Sequence, residues 1–161
     1  MKTRRITSLI AIAIVLLTAN TANAQKLESE FLFKLNLTLD PSIDIGKVPI
    51  GERIIHPITG GTFEGPKLKG KVRASGADWM VRLDSTTTKL DVRLLLETED
   101  GQLIYNTYSG ILYNNPNGTT YWRTTPVFET SSKKYEWLNY LITVGVGNFS
   151  NGVSYDVFAI K

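Results

Sequence analysis

Apolar and polar residues alternate one for one through most of this chain, and a period of two is the mark of a strand with one buried face. In the run from Phe31 to Asp40, Phe31, Phe33, Leu35, Leu37 and Leu39 share a face. Lys34, Asn36, Thr38 and Asp40 share the other, with Leu32 the exception, and Asp40-Pro41 ends the run. Leu68 and Val72 alternate in the same way with Lys67, Lys69, Lys71 and Arg73, and Trp79, Val81 and Leu83 alternate with Asp78, Met80 and Arg82. The run Leu90 to Thr98 closes at Glu99-Asp100-Gly101, and Gln102 to Tyr113 begins at once. Asp-Gly between two strand-like runs predicts a hairpin.

The second half repeats the pattern. Asn114 to Gly118 is a loop by composition, and Thr119 to Thr130 is rich in strand formers, with Pro126 marking a break, bulge or edge. Tyr135 to Gly147 begins with helical spacing at Trp137/Leu141 and Leu138/Ile142, but its β-branched and glycine continuation favours a strand. Asn151-Gly152 turns into Val153 to Ile160. The sum is an all-β chain of about eight or nine strands with no long helix. So many short antiparallel strands manage their edges by closing, so a closed or nearly closed antiparallel β-barrel is expected. A barrel of about eight strands is either filled by side chains or wide enough for one small ligand.

The stretch Ile58 to Gly70, "ITGGTFEGPKLKG", tests that expectation. A phosphate-binding loop needs Gly-Lys-Ser/Thr followed by a helix. Here Gly65 precedes Pro66, and Gly70-Lys71 precedes Val72 in a strand-like run. Glycines inside strands mark bulges and sharp bends, so the stretch is expected to shape a barrel corner.

The first two dozen residues belong to a different class. Lys2, Arg4 and Arg5 precede an apolar run from Ile6 to Leu17, and Ala22-Asn23-Ala24 offers a small-x-small cleavage site before Gln25. That is the form of a bacterial secretory signal over residues 1–24, leaving residues 25–161 as one periplasmic or secreted domain with no membrane segment. The charge argument then changes. The chain carries 18 basic and 15 acidic residues, a net charge of +3. The three bases of the signal leave with it and no acid does, so the remaining chain is balanced and gives no reason to expect a nucleic-acid partner. The Lys67 to Arg73 ladder reads as a solvated outer face. There is no cysteine, which excludes disulfides, thiolate zinc sites and a cysteine nucleophile.

Five ordered segments carry a family resemblance: "PITGGTFEGPKLKG", "GADW" (Gly76 to Trp79), "LDVRLLLETEDGQLIY" (Leu90 to Tyr105), "YWRTTPVFET" (Tyr121 to Thr130) and "YEWLN" (Tyr135 to Asn139). Together they resemble the domain of unknown function 3237 family, also catalogued as uncharacterised protein family 0311. The resemblance implies a calycin-like β-barrel, in a family with no general assigned activity; the secretion signal departs from the cytoplasmic look of many members.

Within these segments Asp91 and Arg93 share a strand face, as do Tyr121 and Arg123, and Trp137 and Asn139. On inward faces they would place a carboxylate, guanidiniums, an amide and aromatic walls in the lumen, the content of a small-molecule site. Asp91, Arg93, Arg123, Trp137, Asn139 and Trp79 are the candidate ligand contacts, for a small, partly apolar molecule and with no cofactor. The plainer alternatives are that Asp91 and Arg93 simply pair, that Trp79, Trp122 and Trp137 are core, and that Arg123 braces the loop holding Pro126. His56, the only histidine, precedes Pro57 and reads as a loop-surface residue. One histidine without cysteine cannot assemble a His/Cys zinc site, and no Gly-x-Ser-x-Gly elbow is present.

Three functions fit. The first is an exported small-molecule-binding barrel with its ligand in the lumen. The second is a metal-independent lyase or isomerase, with Asp91 or Glu64 as base and Arg93 or Tyr105 stabilising developing negative charge. The third is a structural barrel with a filled core. A pairing of Glu64 or Glu129 with Asp91 as acid and base is a further, weaker possibility.

Overall fold

The computed structural model describes residues 26–161; the expected signal, residues 1–24, lies outside the described residues. Ten strands form one antiparallel sheet: β1 (Ser29–Leu39), β2 (Ile43–Val48), β3 (Gly51–Glu64), β4 (Lys69–Val72), β5 (Gly76–Arg82), β6 (Thr87–Thr98), β7 (Leu103–Asn114), β8 (Thr120–Glu129), β9 (Thr143–Asn148) and β10 (Val153–Ile160). The order runs β1-β10-β9-β8-β7-β6-β4-β3-β2, and β1 also pairs with β3, which closes the ring. Short strands β4 and β5 share one place between β3 and β6, so the barrel has eight positions, with β2 hung on the outside of β3. The expected all-β, closed antiparallel barrel is what the chain builds.

Strand β3 makes closure possible. Its first half pairs with β5 from Glu52 to Ile58, and its second half pairs with β1 and β4 out to Glu64. It therefore bends at Gly60-Gly61, where Gly61 has φ +139°, and any Cβ there would meet the Asn36 carbonyl of β1. Gly70 in β4 has the same relation to the Glu97 carbonyl of β6. The glycine-rich stretch is thus a bent strand at a barrel corner, as expected from glycines in a strand pattern. The Asp100-Gly101 hairpin also forms, with Gly101 at φ +79° between β6 and β7.

The interior has two halves. One end is packed solid: Phe33 meets Phe63 and Phe128 edge-on at 5.7 and 5.8 Å, and Leu94, Leu96 and Ile104 fill the space around them with essentially no exposure. Each such side chain contributes about 1.5–3 kcal/mol by leaving water. A short 3-10 helix, Glu136–Tyr140, caps this end through buried Leu138, next to buried Tyr135. The sequence favoured a strand from Tyr135, yet the helical spacing at Trp137/Leu141 was the better guide to this turn; β9 starts only at Thr143. The other end is hollow. The Lys67 to Arg73 ladder faces outward, where Lys67 pairs with Glu30 at 2.7 Å, Lys69 with Glu99 at 3.0 Å and Lys71 with Glu97 at 3.2 Å.

The closure point yields a direct test. Gly61→Ala combines a strained backbone with a collision against β1 and is expected to cost about 3 kcal/mol or more in urea unfolding. Gly118→Ala, at φ +82° but in open space, is the control and is expected to cost about 1 kcal/mol. Equal losses at the two sites would show that β3 does not close the ring through Gly61.

Candidate active site in the hollow half of the barrel

The residues expected in the lumen lie elsewhere, for one physical reason. In β6, Leu90, Val92, Leu94 and Leu96 are buried inside, so the period of two sends Asp91 and Arg93 outward. They form an ion pair at 3.2 Å with side chains about half exposed (Arg93 50%, Asp91 53%), and the Arg93 guanidinium lies 5.4 Å over the ring of Trp79, also on the outer face. In β8, Trp122, Thr124, Pro126 and Phe128 take the interior, so Arg123 is outside, stacked 4.9 Å over Tyr121 and donating to the Trp122 carbonyl at 2.9 Å. Tyr105 is exposed on β7, opposite Glu129.

Glu64, opposite Lys69, and Asp91, opposite Ser109, lie at separate places on the outer surface. No acid–base pairing of Glu64 or Glu129 with Asp91 is assembled: Glu129 lies opposite Tyr105, which faces Leu95, four residues along β6 from Asp91. Trp137 and Asn139 sit in the 3-10 helix at the packed end. Trp137 packs on the core beneath Lys67, and Asn139 clasps Thr130 by accepting from its N–H at 2.8 Å and donating to its carbonyl at 2.9 Å. The expectation that these side chains converge in the lumen is therefore corrected. They stiffen the outside and cap one end.

Other chemistry occupies the lumen. A cavity of about 170 Å³ lies in the hollow half, with His56, Asp78, Tyr108, Trp122, Tyr155 and Phe149 among the residues on its walls and Leu37, Ile58 and Met80 among its apolar lining. Wider depressions, such as the one of about 620 Å³ bordered by Tyr121 and Arg123, are open and lie on the outer surface. His56 and Asp78 are register partners on β3 and β5, so both point inward side by side. The placement of His56 at a loop surface is thus overturned: Pro57 follows it within a strand whose even positions face the cavity.

Asp78 is the unusual group. Its Oδ1 accepts one hydrogen bond, from the Asp91 backbone N–H at 3.2 Å. Burial raises its pKa from 3.8 to about 6; the Asp91 N–H opposes this and the Asp91 carboxylate adds to it. Facing it across the cavity are aromatic side chains with polar tips. Tyr108 stands 5.3 Å from Tyr155, and Trp122 stands 5.0 Å from Tyr155, ring centre to ring centre. Burial pushes both tyrosine hydroxyls up, and negative charge on Asp78 adds to the effect. The Trp122 indole lies flat on β9 because Gly147 has no Cβ to meet it, and Phe149 at the tip of the β9–β10 hairpin covers it at 4.3 Å. Among the described residues no three His, Asp or Glu side chains gather into a metal-binding group.

Asp78 was within reach of the sequence. It lies in the "GADW" segment, but the apolar Trp79 and Val81 beside it looked like the inward set. The structure turns them out, toward Ile55 and Arg53 of β3, and turns Asp78 and Met80 in. The signal that could have found it is a lone acid alternating with Met80 in β5, a subtle one.

Known proteins share this frame. The family described as "Protein of unknown function (DUF3237)" matches residues 27–160. A UPF0311 protein of Rhodopseudomonas palustris is 29% identical over 133 residues, covering 74% of this chain and 86% of the relative. The hydroalkoxylation enzyme phnH of Penicillium herquei is 28% identical over 151 residues, covering 94% of this chain and 95% of the relative. Among solved structures, a beta-barrel like protein from Acinetobacter baumannii superimposes with a TM-score of 0.81 at 36% identity, over 88% of this chain and 100% of that one. An enzyme from Penicillium herquei superimposes with a TM-score of 0.73 at 27% identity, over 88% and 100%. With a family match that spans nearly all of the described barrel, this chain belongs to the DUF3237 family.

Proposed function

We propose that this protein is an exported barrel that takes a small, partly apolar molecule into the hollow half of its lumen and moves a proton on it without a metal. Asp78 is the acid–base group, and His56 is its neighbour in the proton path. The observation that carries the reading is a carboxyl group on the wall of an apolar cavity, held by a single hydrogen bond and titrating at about 6. A carboxylate of that strength is matched to proton transfer near neutral pH. The base role foreseen for Asp91 or Glu64 passes to Asp78.

The Penicillium herquei relative supports the reaction class by its name. Hydroalkoxylation adds an O–H bond across a carbon–carbon double bond. In such a step the hydroxyl oxygen bonds to one alkene carbon while its proton passes to a base, and the other alkene carbon takes up a proton. No proton is gained or lost overall. Asp78 can accept the first proton, and His56 or protonated Asp78 can deliver the second. A pure carrier is the second reading, favoured by the apolar walls of the cavity.

Asp78 also leaves a stability signature. The folded protein holds this proton more tightly than the unfolded chain, so Asp78 favours folding below pH 3.8, and that contribution disappears as pH rises through about 6. Asp78→Asn is therefore expected to match the parent near pH 4 and to exceed it by about 2–3 kcal/mol at pH 8, read by urea unfolding at both pH values. A variant less stable than the parent at pH 8 would show that the carboxylate is well solvated or paired.

For activity, the experiment is a screen of small hydroxyl-bearing alkenes, with kcat/KM measured against pH for any that react. The rate is expected to rise through pH 6 and to fall at least about 100-fold in Asp78→Asn. Turnover indifferent to that substitution removes Asp78 from the chemistry, and tight binding without turnover identifies the carrier. Export is tested separately: the protein recovered from the periplasm or medium is expected to begin at Gln25, and an intact Met1 there would rule out cleavage.

A further inference from the structure

The cavity holds a second polar feature that proton transfer at Asp78 does not use. Tyr108 and Trp122 are 4% and 3% exposed, and among the described residues neither the Tyr108 hydroxyl nor the Trp122 indole nitrogen has a hydrogen-bond partner. Both side chains pack edge-on against Tyr155 and interact with its hydroxyl, but neither reaches it with the distance and angle of a full hydrogen bond. Buried polar groups in folded proteins are nearly always satisfied, and an unsatisfied pair on a cavity wall costs stability that only a ligand or water can return. Both groups can donate; the indole N–H can do nothing else.

We propose that Tyr108, Trp122 and Tyr155 form an anchoring subsite for one neutral carbonyl oxygen, so that the molecule this barrel takes is a compact, largely apolar ketone. The inference rests on the lumen being the binding site, as proposed above. Charge decides between a carbonyl and an anion. Burial keeps both tyrosines protonated, and hence donors, across the physiological range. Among the described residues no lysine or arginine lies on the cavity wall, and Asp78 becomes negative above about pH 6. A carboxylate or phosphate would meet an acid and no guanidinium there. A carbonyl oxygen accepts from several donors and brings no charge. The wall between the two polar sites is apolar and aromatic, with Leu90, Leu112 and Phe149 among its residues, which suits a flat ring. Phe149, stacked on the Trp122 indole, extends the aromatic surface of that wall.

The test uses three probes of nearly equal shape: indanone, indane and indane carboxylate. Calorimetry would measure their Kd for the intact barrel at pH 7, and infrared spectroscopy would follow the ketone stretch of bound indanone. Indanone is expected to bind at least about tenfold more tightly than indane, the effect of one hydrogen bond to a neutral acceptor or more. Its stretch is expected to fall below its value in hydrocarbon. Indane carboxylate is expected to bind more weakly than either.

Tyr108→Phe is expected to erase most of the preference for indanone while leaving indane unchanged, and to cost little stability, because the buried hydroxyl it removes makes no full hydrogen bond. Equal binding of indanone and indane, or a preference that survives Tyr108→Phe, would overturn the carbonyl subsite and leave the lumen reading intact. A large loss of stability in Tyr108→Phe would show that the hydroxyl already serves the fold, and would overturn it too. If none of the three probes enters, the lumen reading fails and the subsite fails with it.

Discussion

The pairing of β1 with β3, from Lys34–Glu64 to Leu39–Ile58, turns a twisted ten-stranded sheet into a ring, and every later property of the molecule follows from that closure. Closure removes the sheet edges and fixes an inside and an outside. Once the ring is shut, each strand has no choice of face: a shift of one residue would send its whole apolar set into water. Gly61 lets the backbones of β1 and β3 approach closely enough for this, which is why a stretch of chain with so little side-chain mass has such a large structural role.

The ring is stabilised unevenly, and the unevenness is what leaves a cavity in the lumen. Phe33, Phe63 and Phe128 lock one end, and the 3-10 helix caps it with Leu138. The hollow end does the opposite: it buries a carboxyl group, an indole N–H and a tyrosine hydroxyl with few or no partners. Each of these costs stability, and together they would be poor design for a barrel that only had to fold. A packed half that can carry the cost of an unsatisfied half is consistent with the proposed site in the lumen of this small closed barrel.

Much of this was legible in the sequence, and the part that was not has a clear cause. The strand periods, the Asp100-Gly101 hairpin and the corner at Gly60-Gly61 could be read because each depends on local chemistry: alternation, turn residues, backbone freedom. Which face of a strand looks inward depends on what covers the other face, and that is not local. In β6 the alternation itself was sufficient, since Leu90, Val92, Leu94 and Leu96 are an unbroken apolar row. Asp91 and Arg93 drew attention because they are chemically able, but ability does not decide direction. In β5 the alternation misled, because Trp79 finds shelter outside under Arg93. His56 was hidden by Pro57, which looks like a loop residue until β3 is seen to run straight through it.

The outward motif and the inward site are nevertheless connected. Asp91 does not reach the cavity with its side chain, yet its backbone N–H donates the one hydrogen bond that Asp78 receives. That places β6 in the role of a splint: its apolar inner row fixes the height of the strand, and the height of the strand fixes where the N–H meets the carboxyl. The ion pair with Arg93 and the stacking of Arg93 on Trp79 hold β5 and β6 together on the outside at the same level. An exposed pair of this kind adds little to global stability. Its leverage is positional, because β5 carries Asp78 one residue away from Trp79. A side chain on the outer face therefore acts on the acid on the inner face both through the backbone N–H that it positions and through the charge of the Asp91 carboxylate, and the familiar segments of this family make physical sense as the frame of the proposed site, one residue to the side.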